Sequence, residues 1–165
     1  MSANGLKKIS GFVLLVLIQV LVLNKVNIFG YATPFFYIYL IVSLGIGTPR
    51  WRGLLIGFAL GLSIDLFTHT PGINASATVL LAFLQPFFLR LFAPRDSDET
   101  LCPTINQLGL MSFLKYVLLC VLVHHTTLYV LEYFTYVGLL QTLLKIGSST
   151  LLTICLIVAV DKITD

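Results

Sequence analysis

The sequence has little charge: only 10% of its 165 residues are Asp, Glu, Lys or Arg. Soluble domains carry roughly 25%. Together with a hydrophobic fraction of 58% and a mean hydropathy of +0.98, this shortage excludes a soluble globular domain, a disordered tail and a nucleic-acid-binding module. We therefore expect an integral membrane protein whose residues 1–165 form a single all-α transmembrane domain.

Cysteine and catalytic motifs are also scarce. Cys102, Cys120 and Cys155 are an odd number and form no C-x-x-C pair, which predicts free thiols. The sequence contains no G-x-S-x-G, H-E-x-x-H or P-loop motif. Hence no catalytic residue, metal ligand or cofactor is predicted, and nothing in the sequence indicates an enzyme.

Proline and threonine divide the apolar chain into helices. Thr33-Pro34, Thr48-Pro49 and Thr70-Pro71 each favour a helix start, because Thr can cap and Pro suits the first helical position. Thr104 and Gln107 have the spacing of a capping box. The predicted bundle has six, or possibly five, transmembrane helices, at roughly 8–26, 34–47, 49–68, 71–92, 107–132 and 138–160.

The predicted second helix is too short for a simple crossing. Residues 34–47 reach only about 21 Å at 1.5 Å per residue, whereas a hydrocarbon core is about 30 Å thick. Either the helix begins near Ile28 and kinks at Pro34, or it is a short element packed against its neighbours.

The positions of Lys and Arg predict the orientation. With both termini and the loop 93–106 in the cytoplasm, two cations, Lys25 and Lys145, lie on the outer side. The other eight lie on the cytoplasmic side, as the positive-inside rule requires: Lys7, Lys8, Arg50, Arg52, Arg90, Arg95, Lys115 and Lys162.

Ionisable residues in an apolar helix are costly, so each is a functional hypothesis. Gly53, Gly57, Gly61 and Asp65 recur every four residues and form one stripe of the third helix. Small residues at this spacing let another helix approach closely. The carboxylate either accepts hydrogen bonds from the start of the next helix or contributes to a site for a partner or ligand.

A metal site could be suggested from His124, His125 and Glu132, but the geometry of a helix argues against it. Adjacent histidines point about 100° apart, and Glu132 is about 10 Å further along the axis. We expect both histidines in the bundle interior or at the outer interface. Glu132 and Lys145 are expected to form an interfacial pair, and tyrosines such as Tyr37 fit an aromatic belt.

The segment from Gly57 to Phe67, followed by Pro71 to Ala77, resembles the G-x-x-x-G-L-x-x-D and P-x-G block of the MreD family, although Gly72 here follows Pro71 directly. The approach from Asn24 to Pro34 resembles that of Bacteroidetes-type members. The family comprises small bacterial inner-membrane proteins of the rod-shape machinery.

The resemblance implies a function. MreD-like proteins have no known chemistry and act beside MreC, MreB, RodA and a class B penicillin-binding protein in lateral-wall peptidoglycan synthesis. Their fold is similar to that of the substrate-binding subunits of energy-coupling-factor transporters. Our hypothesis is that the glycine stripe and Asp65 hold a crevice in which the single transmembrane helix or the N-terminal segment of MreC docks. The residues assigned to this site are Gly53, Gly57, Gly61, Asp65, Pro71, Gly72 and Asn74.

Two other functions stay open. A transporter substrate-binding subunit would need an outward-facing polar pocket, lined for example by Asn74, His69 and Glu132. An intramembrane enzyme would use His124, His125 and Glu132. No nucleic-acid partner is expected, and lipid would surround the bundle.

Overall fold

The computed structural model describes residues 3–27, 32–94, 101–133 and 138–164, and in these ranges the chain is helical without a strand. Four helices are long and apolar enough to cross a membrane. The helices are α1 (Ala3–Leu21), α2 (Tyr39–Val42), α3 (Arg50–Thr68), α4 (Ile73–Phe92), α5 (Ile105–Leu108), α6 (Leu110–Tyr133) and α7 (Leu139–Thr164), with 3-10 turns at Leu23–Lys25 and Phe36–Ile38.

The long helices alternate in direction. The carboxyl ends of α1, α3 and α6 and the amino ends of α4 and α7 lie around one cavity, which Asn24, Thr68, Ile73, Glu132 and Lys145 help to line. Because α1 ends at this cavity while α3 begins at the opposite end of the bundle, residues 32–47 run back through the bundle.

This returning segment corrects the second predicted helix. Helical structure is confined to residues 36–42 instead of 34–47, and residues 32–35 are not helical. Tyr37, Ile38, Ile41 and Val42 are almost completely buried, so the segment packs inside the bundle. The structure thus agrees with a short packed element; Ile28, where the other alternative would begin, lies outside the described residues.

Side chains of the long helices satisfy the backbone of the segment where it is not helical. Gln19 of α1 donates to the Pro34 carbonyl oxygen at 2.9 Å and accepts from the Tyr37 N–H at 3.3 Å. The Thr33 N–H donates to Ser149 Oγ of α7 at 3.1 Å. Irregular backbone at membrane depth needs such partners, because the hydrocarbon offers none.

The same arrangement continues along the segment. The Phe35 N–H donates to Thr153 Oγ1 at 3.1 Å. Tyr116 Oη donates to the Val42 carbonyl at 2.6 Å, and Gln85 Nε2 donates to the Leu44 carbonyl at 2.9 Å. Gln85 Nε2 also donates to Tyr116 Oη at 2.8 Å, which ties α4 to α6 behind the segment.

Thr48-Pro49 and Thr70-Pro71 mark helix starts, but threonine is not the cap. The prediction is wrong for Thr33-Pro34, which lies in the non-helical stretch before Phe36. Pro49 is the N-cap of α3 and Gly72 that of α4, and neither start has a side-chain cap from its own N-cap residue. The predicted 107–132 helix is interrupted at Gly109, whose φ of 76° separates α5 from α6.

The predicted capping box is half formed. The Gln107 N–H donates to Thr104 Oγ1 at 3.4 Å, while Gln107 Oε1 accepts from the Cys102 N–H at 2.8 Å rather than from Thr104. Residues 95–100 of the expected 93–106 loop, which include Arg95, Asp96, Asp98 and Glu99, lie outside the described residues.

Candidate functional site

The Asp65 carboxylate is the centre of a buried polar cluster at the cavity end of the bundle. It is only 4% exposed and accepts five hydrogen bonds. Oδ1 accepts from Thr70 Oγ1 at 2.9 Å, the Asn74 N–H at 2.9 Å and Asn74 Nδ2 at 3.0 Å. Oδ2 accepts from the Gly72 N–H at 3.1 Å and the Ala75 N–H at 2.9 Å.

These contacts make Asp65 the cap of the next helix. The amides of Asn74 and Ala75 belong to the first turn of α4, and a carboxylate there meets both unpaired N–H groups and the positive end of the helix dipole. Because all five partners donate, the side chain acts only as an acceptor, as an ionised carboxylate does. The structure therefore agrees with the internal alternative for Asp65.

The glycine stripe allows α4 to pack close to α3. A Cβ on Gly57 would lie 2.9 Å from the Thr78 carbonyl oxygen, and one on Gly61 would lie 2.5 Å from Ala75 Cα. Gly53 differs, because its nearest neighbour would be Leu44 Cδ1 at 3.7 Å, an ordinary contact. The close helix neighbour of Gly57 and Gly61 is thus part of the same chain.

The remaining residues of the hypothesised partner site divide by exposure. Asn74 is 5% exposed and belongs to the Asp65 cluster, whereas Pro71 and Gly72 are exposed in the turn between α3 and α4. The φ of Gly72 is 85°, a left-handed conformation that favours glycine, and no atom would contact a Cβ there. The residues of the hypothesised partner site are therefore partly buried polar residues that hold the start of α4 and partly residues of an exposed turn.

A hydrogen-bonded chain leads from Asp65 to His124. Asn74 Nδ2 donates to Asp65, so Asn74 Oδ1 faces Tyr37 and accepts from its hydroxyl at 2.8 Å. That hydroxyl has a single proton, so it accepts from His124 Nε2–H at 2.9 Å. His124 Nδ1 is then the bare acceptor nitrogen, and it has no hydrogen-bond partner.

His125 has the opposite tautomer. Its Nδ1 lies 2.8 Å from the Val121 carbonyl oxygen, which only accepts, so Nδ1 carries the proton. Nε2 then accepts from the Thr153 hydroxyl at 3.3 Å, and that hydroxyl accepts from the Phe35 N–H. Both histidines are fully buried, in the predicted interior position, and both support the returning segment.

Glu132 lies apart from the histidines, at the exposed end of α6. In the described part of the chain, no three His, Cys, Asp or Glu side chains are grouped closely enough to hold a metal ion. His69 also lies apart: it is exposed, has a φ of 56° and ends α3 by donating its N–H to the Asp65 carbonyl.

A cavity of about 320 Å³ lies at this end of the bundle. Its deepest lining includes the buried residues Ile64, Leu128 and Tyr129, and Glu132 and Lys145 bring one charge of each sign. Besides the Tyr129 hydroxyl, the uncharged polar groups of the lining are amides and threonine hydroxyls: Asn24, Asn27, Asn74, Thr33, Thr68 and Thr70. Of the three residues that the transporter alternative would need in a pocket, Asn74 and Glu132 line this cavity and His69 does not.

Sequence reasoning missed the part that Tyr37 plays. The aromatic belt was the wrong environment for this residue, because it is completely buried between Asn74 and His124. The signal was available in the short second apolar run: a segment too short to be a complete helix needs polar partners from its neighbours. Gln19 and Ser149 provide them from α1 and α7.

Comparison of the chain with protein-family models, with curated proteins and with solved structures found no match.

Proposed function

We propose that this protein is an MreD-like, non-catalytic scaffold of the bacterial rod complex, embedded in the inner membrane, that binds MreC. Through MreC it would contact a class B penicillin-binding protein, RodA and MreB, and help control lateral-wall peptidoglycan synthesis and cell shape. In this proposal, α1, the returning segment and the four long helices make six passes with both ends cytoplasmic. Such a bundle would be similar to the substrate-binding subunits of energy-coupling-factor transporters.

The observation that carries the proposal is the block on which the family resemblance rests. Its residues form one structural unit, in which Asp65 accepts from the start of α4 and holds the turn containing Pro71 and Gly72. Because Gly57 and Gly61 already contact α4, the proposed contact with MreC centres on the exposed turn. Asp65 and the glycines would act on MreC indirectly, by holding that turn in place.

The first test is purification of the tagged full chain from its own membranes in mild detergent, followed by mass spectrometry. We expect MreC with a penicillin-binding protein. Pro71→Glu changes only an exposed position and should reduce MreC recovery several-fold with unchanged insertion. Asp65→Leu should do the same by releasing the turn.

A matched control distinguishes docking from general damage. Asp161 of α7 is also a buried carboxylate that caps another helix, because it accepts from the N–H of Ile105 at the start of α5 at 2.9 Å. It lies at the opposite end of the bundle from Asp65. Asp161→Leu should therefore leave MreC recovery near the wild-type level. Unchanged recovery with both Pro71→Glu and Asp65→Leu would remove this turn from the docking surface, and absence of MreC from the wild-type sample would overturn the scaffold.

The cavity favours a second function, that of a transporter substrate-binding subunit. It lies at the end predicted to face outward and is lined by Asn74 and Glu132. Recovery of a membrane coupling subunit with ATPases in the same purification, instead of MreC, would support this function.

A further inference from the structure

We propose that the cavity between the ends of α1, α3, α4, α6 and α7 is a binding site for a small uncharged polyol, a molecule of monosaccharide size whose hydroxyl groups both donate and accept hydrogen bonds. The proposal rests on neither function above, since such a ligand would regulate a scaffold or be the cargo of a transporter.

The size of the cavity limits the ligand. A volume of about 320 Å³ equals the space of roughly ten water molecules at about 30 Å³ each, near the lower end of the range for small-molecule sites. The lining reaches from the buried Leu128 and Tyr129 to the exposed Asn27 and Glu132. A monosaccharide-sized ligand would therefore enter from the end of the bundle and become largely buried.

The charges near the cavity favour a ligand without charge. Glu132 and Lys145 are the charged residues of the lining, and each already interacts with another group of the chain. The Asp65 carboxylate, which holds Thr70 and Asn74 of the lining, already accepts five hydrogen bonds. A charged ligand would lose hydration on entering a largely buried site and would need an uncommitted opposite charge in return, which these three residues do not offer.

The wall formed by the end of α3 and the start of α4 has committed its side-chain protons. Asn74 Nδ2 donates to Asp65 Oδ1 and to Thr70 Oγ1, and the Thr70 hydroxyl donates to Asp65. Because Thr70 has used its proton, Thr68 is the donor in the 2.6 Å contact between the two hydroxyls. Thr68 Oγ1 keeps its lone pairs, so this wall accepts hydrogen bonds from a ligand.

The wall formed by the end of α1 and the returning segment can donate. The Gln19 amide has a fixed orientation, because Nε2 donates to the Pro34 carbonyl and Oε1 accepts from the Tyr37 N–H. Nε2 also donates to Asn24 Oδ1 at 2.7 Å, which leaves the Asn24 NH₂ group as a donor for a ligand. The Thr33 hydroxyl also lines the cavity and forms no hydrogen bond with another described residue.

Carbon surface completes the lining. The rings of Phe35 and Tyr129 meet edge-on with centroids 6.1 Å apart, and Ile64 and Leu128 extend this surface. The Tyr129 hydroxyl pairs with Ser149 Oγ at 2.8 Å, so this residue offers its ring to the cavity.

These three surfaces together select a polyol. Its hydroxyl groups can donate to the lone pairs of Thr68 and accept from Asn24 and Thr33, because each hydroxyl does both. Its carbon skeleton can pack against the aromatic and aliphatic side chains. The hydrogen bonds that already hold the Asn24 and Asn74 amides reduce the ordering cost of binding.

The test is equilibrium dialysis of the purified full chain in phosphatidylcholine nanodiscs, because glycoside detergents carry a sugar headgroup that would compete. The probes are glucose, galactose, mannose, ribose, myo-inositol and glycerol. Alanine is the zwitterionic comparator and inorganic phosphate the anionic one. We expect saturable, one-to-one binding of at least one polyol and none of alanine or phosphate.

Substitutions in the donating wall connect binding to the proposed contacts. Thr33→Val keeps the shape of threonine without its hydroxyl and should weaken polyol binding about tenfold, whereas Thr33→Ser should stay within about twofold of the wild type. Asn24→Asp keeps an acceptor for Gln19 but loses the NH₂ group, and it should also weaken binding about tenfold.

Matched controls separate these contacts from general damage. The half-buried Thr127 bonds within its own helix and does not line the cavity, and Asn106 is exposed at the opposite end of the bundle, so Thr127→Val and Asn106→Asp should not change binding. Binding of none of the polyols, equal binding of alanine or phosphate, or equal polyol binding by the wild type, Thr33→Val and Asn24→Asp would overturn the proposal. Equal losses in Thr33→Val and Thr33→Ser would also overturn it. MreC recovery is measured separately, so the scaffold and the polyol site stand or fall independently.

Discussion

At the scale of single residues, the buried polar side chains of this apolar helical bundle mainly form hydrogen bonds with the backbone. Asp65 accepts the N–H groups of Gly72, Asn74 and Ala75, and Gln19 pairs with the Pro34 carbonyl and the Tyr37 N–H. In an aqueous environment, water could form the hydrogen bond that each of these backbone groups needs. In hydrocarbon an unpaired one costs several kcal/mol, so side chains from other helices are needed.

Two glycines of the same stripe should respond differently to alanine. Gly61→Ala puts a Cβ 2.5 Å from Ala75 Cα and should destabilise the protein by about 1–3 kcal/mol through overpacking. Gly53→Ala meets only Leu44 Cδ1 at 3.7 Å and should be neutral or stabilising by up to about 1 kcal/mol, from helix propensity. Thermal unfolding in detergent measures both, and equal effects would mean that α3 and α4 are not this close.

The tautomers of the two buried histidines are a second residue-scale prediction. We expect His124 protonated on Nε2 and His125 on Nδ1, because Asn74 and the Val121 carbonyl impose these assignments. Nitrogen-15 spectra of histidine-labelled protein in bilayers distinguish the two forms, and His69→Asn removes the third signal. A proton on Nδ1 of both rings would break the chain of hydrogen bonds from Asp65 to His124, and a proton on Nε2 of both rings would contradict the hydrogen bond from His125 to the Val121 carbonyl.

At the scale of elements, the returning segment gives the bundle its centre. Ile38, Ile41 and Val42 belong to the main core cluster, and the aromatic ring of Phe35 packs edge-on against His125 with ring centroids 5.1 Å apart. A segment with so few helical hydrogen bonds of its own is stable only because the long helices around it supply both apolar contacts and polar partners.

Adjacent serines of α7 test this dependence. Ser149 accepts from the Thr33 N–H and pairs with Tyr129 Oη at 2.8 Å, whereas Ser148 bonds to the carbonyls of its own helix. Ser149→Ala should cost about 1–3 kcal/mol by leaving buried partners unsatisfied, and Ser148→Ala should change stability by less than about 0.5 kcal/mol.

Hydrogen exchange provides the local measurement. The Thr33 amide should exchange faster in Ser149→Ala and at the wild-type rate in Ser148→Ala. Equal protection of Thr33 in both variants would contradict the role given to Ser149.

At the scale of the whole molecule, the directions of the helices determine at which end of the bundle each Lys and Arg lies. α3 and α6 begin at the end opposite the cavity, and α4 and α7 finish there, which brings Arg50, Arg90, Lys115 and Lys162 to that end. Lys25 and Lys145 belong to the cavity end. These six cations therefore divide between the two ends of the bundle as the sequence predicts, whereas Arg95 lies outside the described residues. Which end faces the cytoplasm stays a prediction.

Thiol labelling of intact cells tests the orientation. Pro71→Cys, on the exposed turn at the cavity end, should react with an impermeant maleimide. The native Cys102, exposed at the opposite end, should react only after the membrane is permeabilised. Labelling of Cys102 but not of Pro71→Cys in intact cells would mean that the bundle is inserted the other way round.

The sequence by itself determined that the chain is helical, with apolar helices long enough to cross a membrane, and where most of the long helices lie. Low charge, long apolar runs and the Thr-Pro dipeptides are local properties, and they placed the starts of α3 and α4 within two residues of where the structure has them. The four-residue spacing of Gly57, Gly61 and Asp65 likewise predicted a close helix contact, because spacing along a helix defines a face.

Only the tertiary structure decided what meets that face and how the second segment returns. The four-residue spacing shows that one face of α3 carries small residues, but it does not show that α4 of the same chain packs against that face. Nor does the sequence show that Tyr37, Asn74 and His124 are in contact. They belong to three separate elements, and their contact depends on how the whole bundle packs. The cavity has the same origin, since five helices each contribute only an end to it.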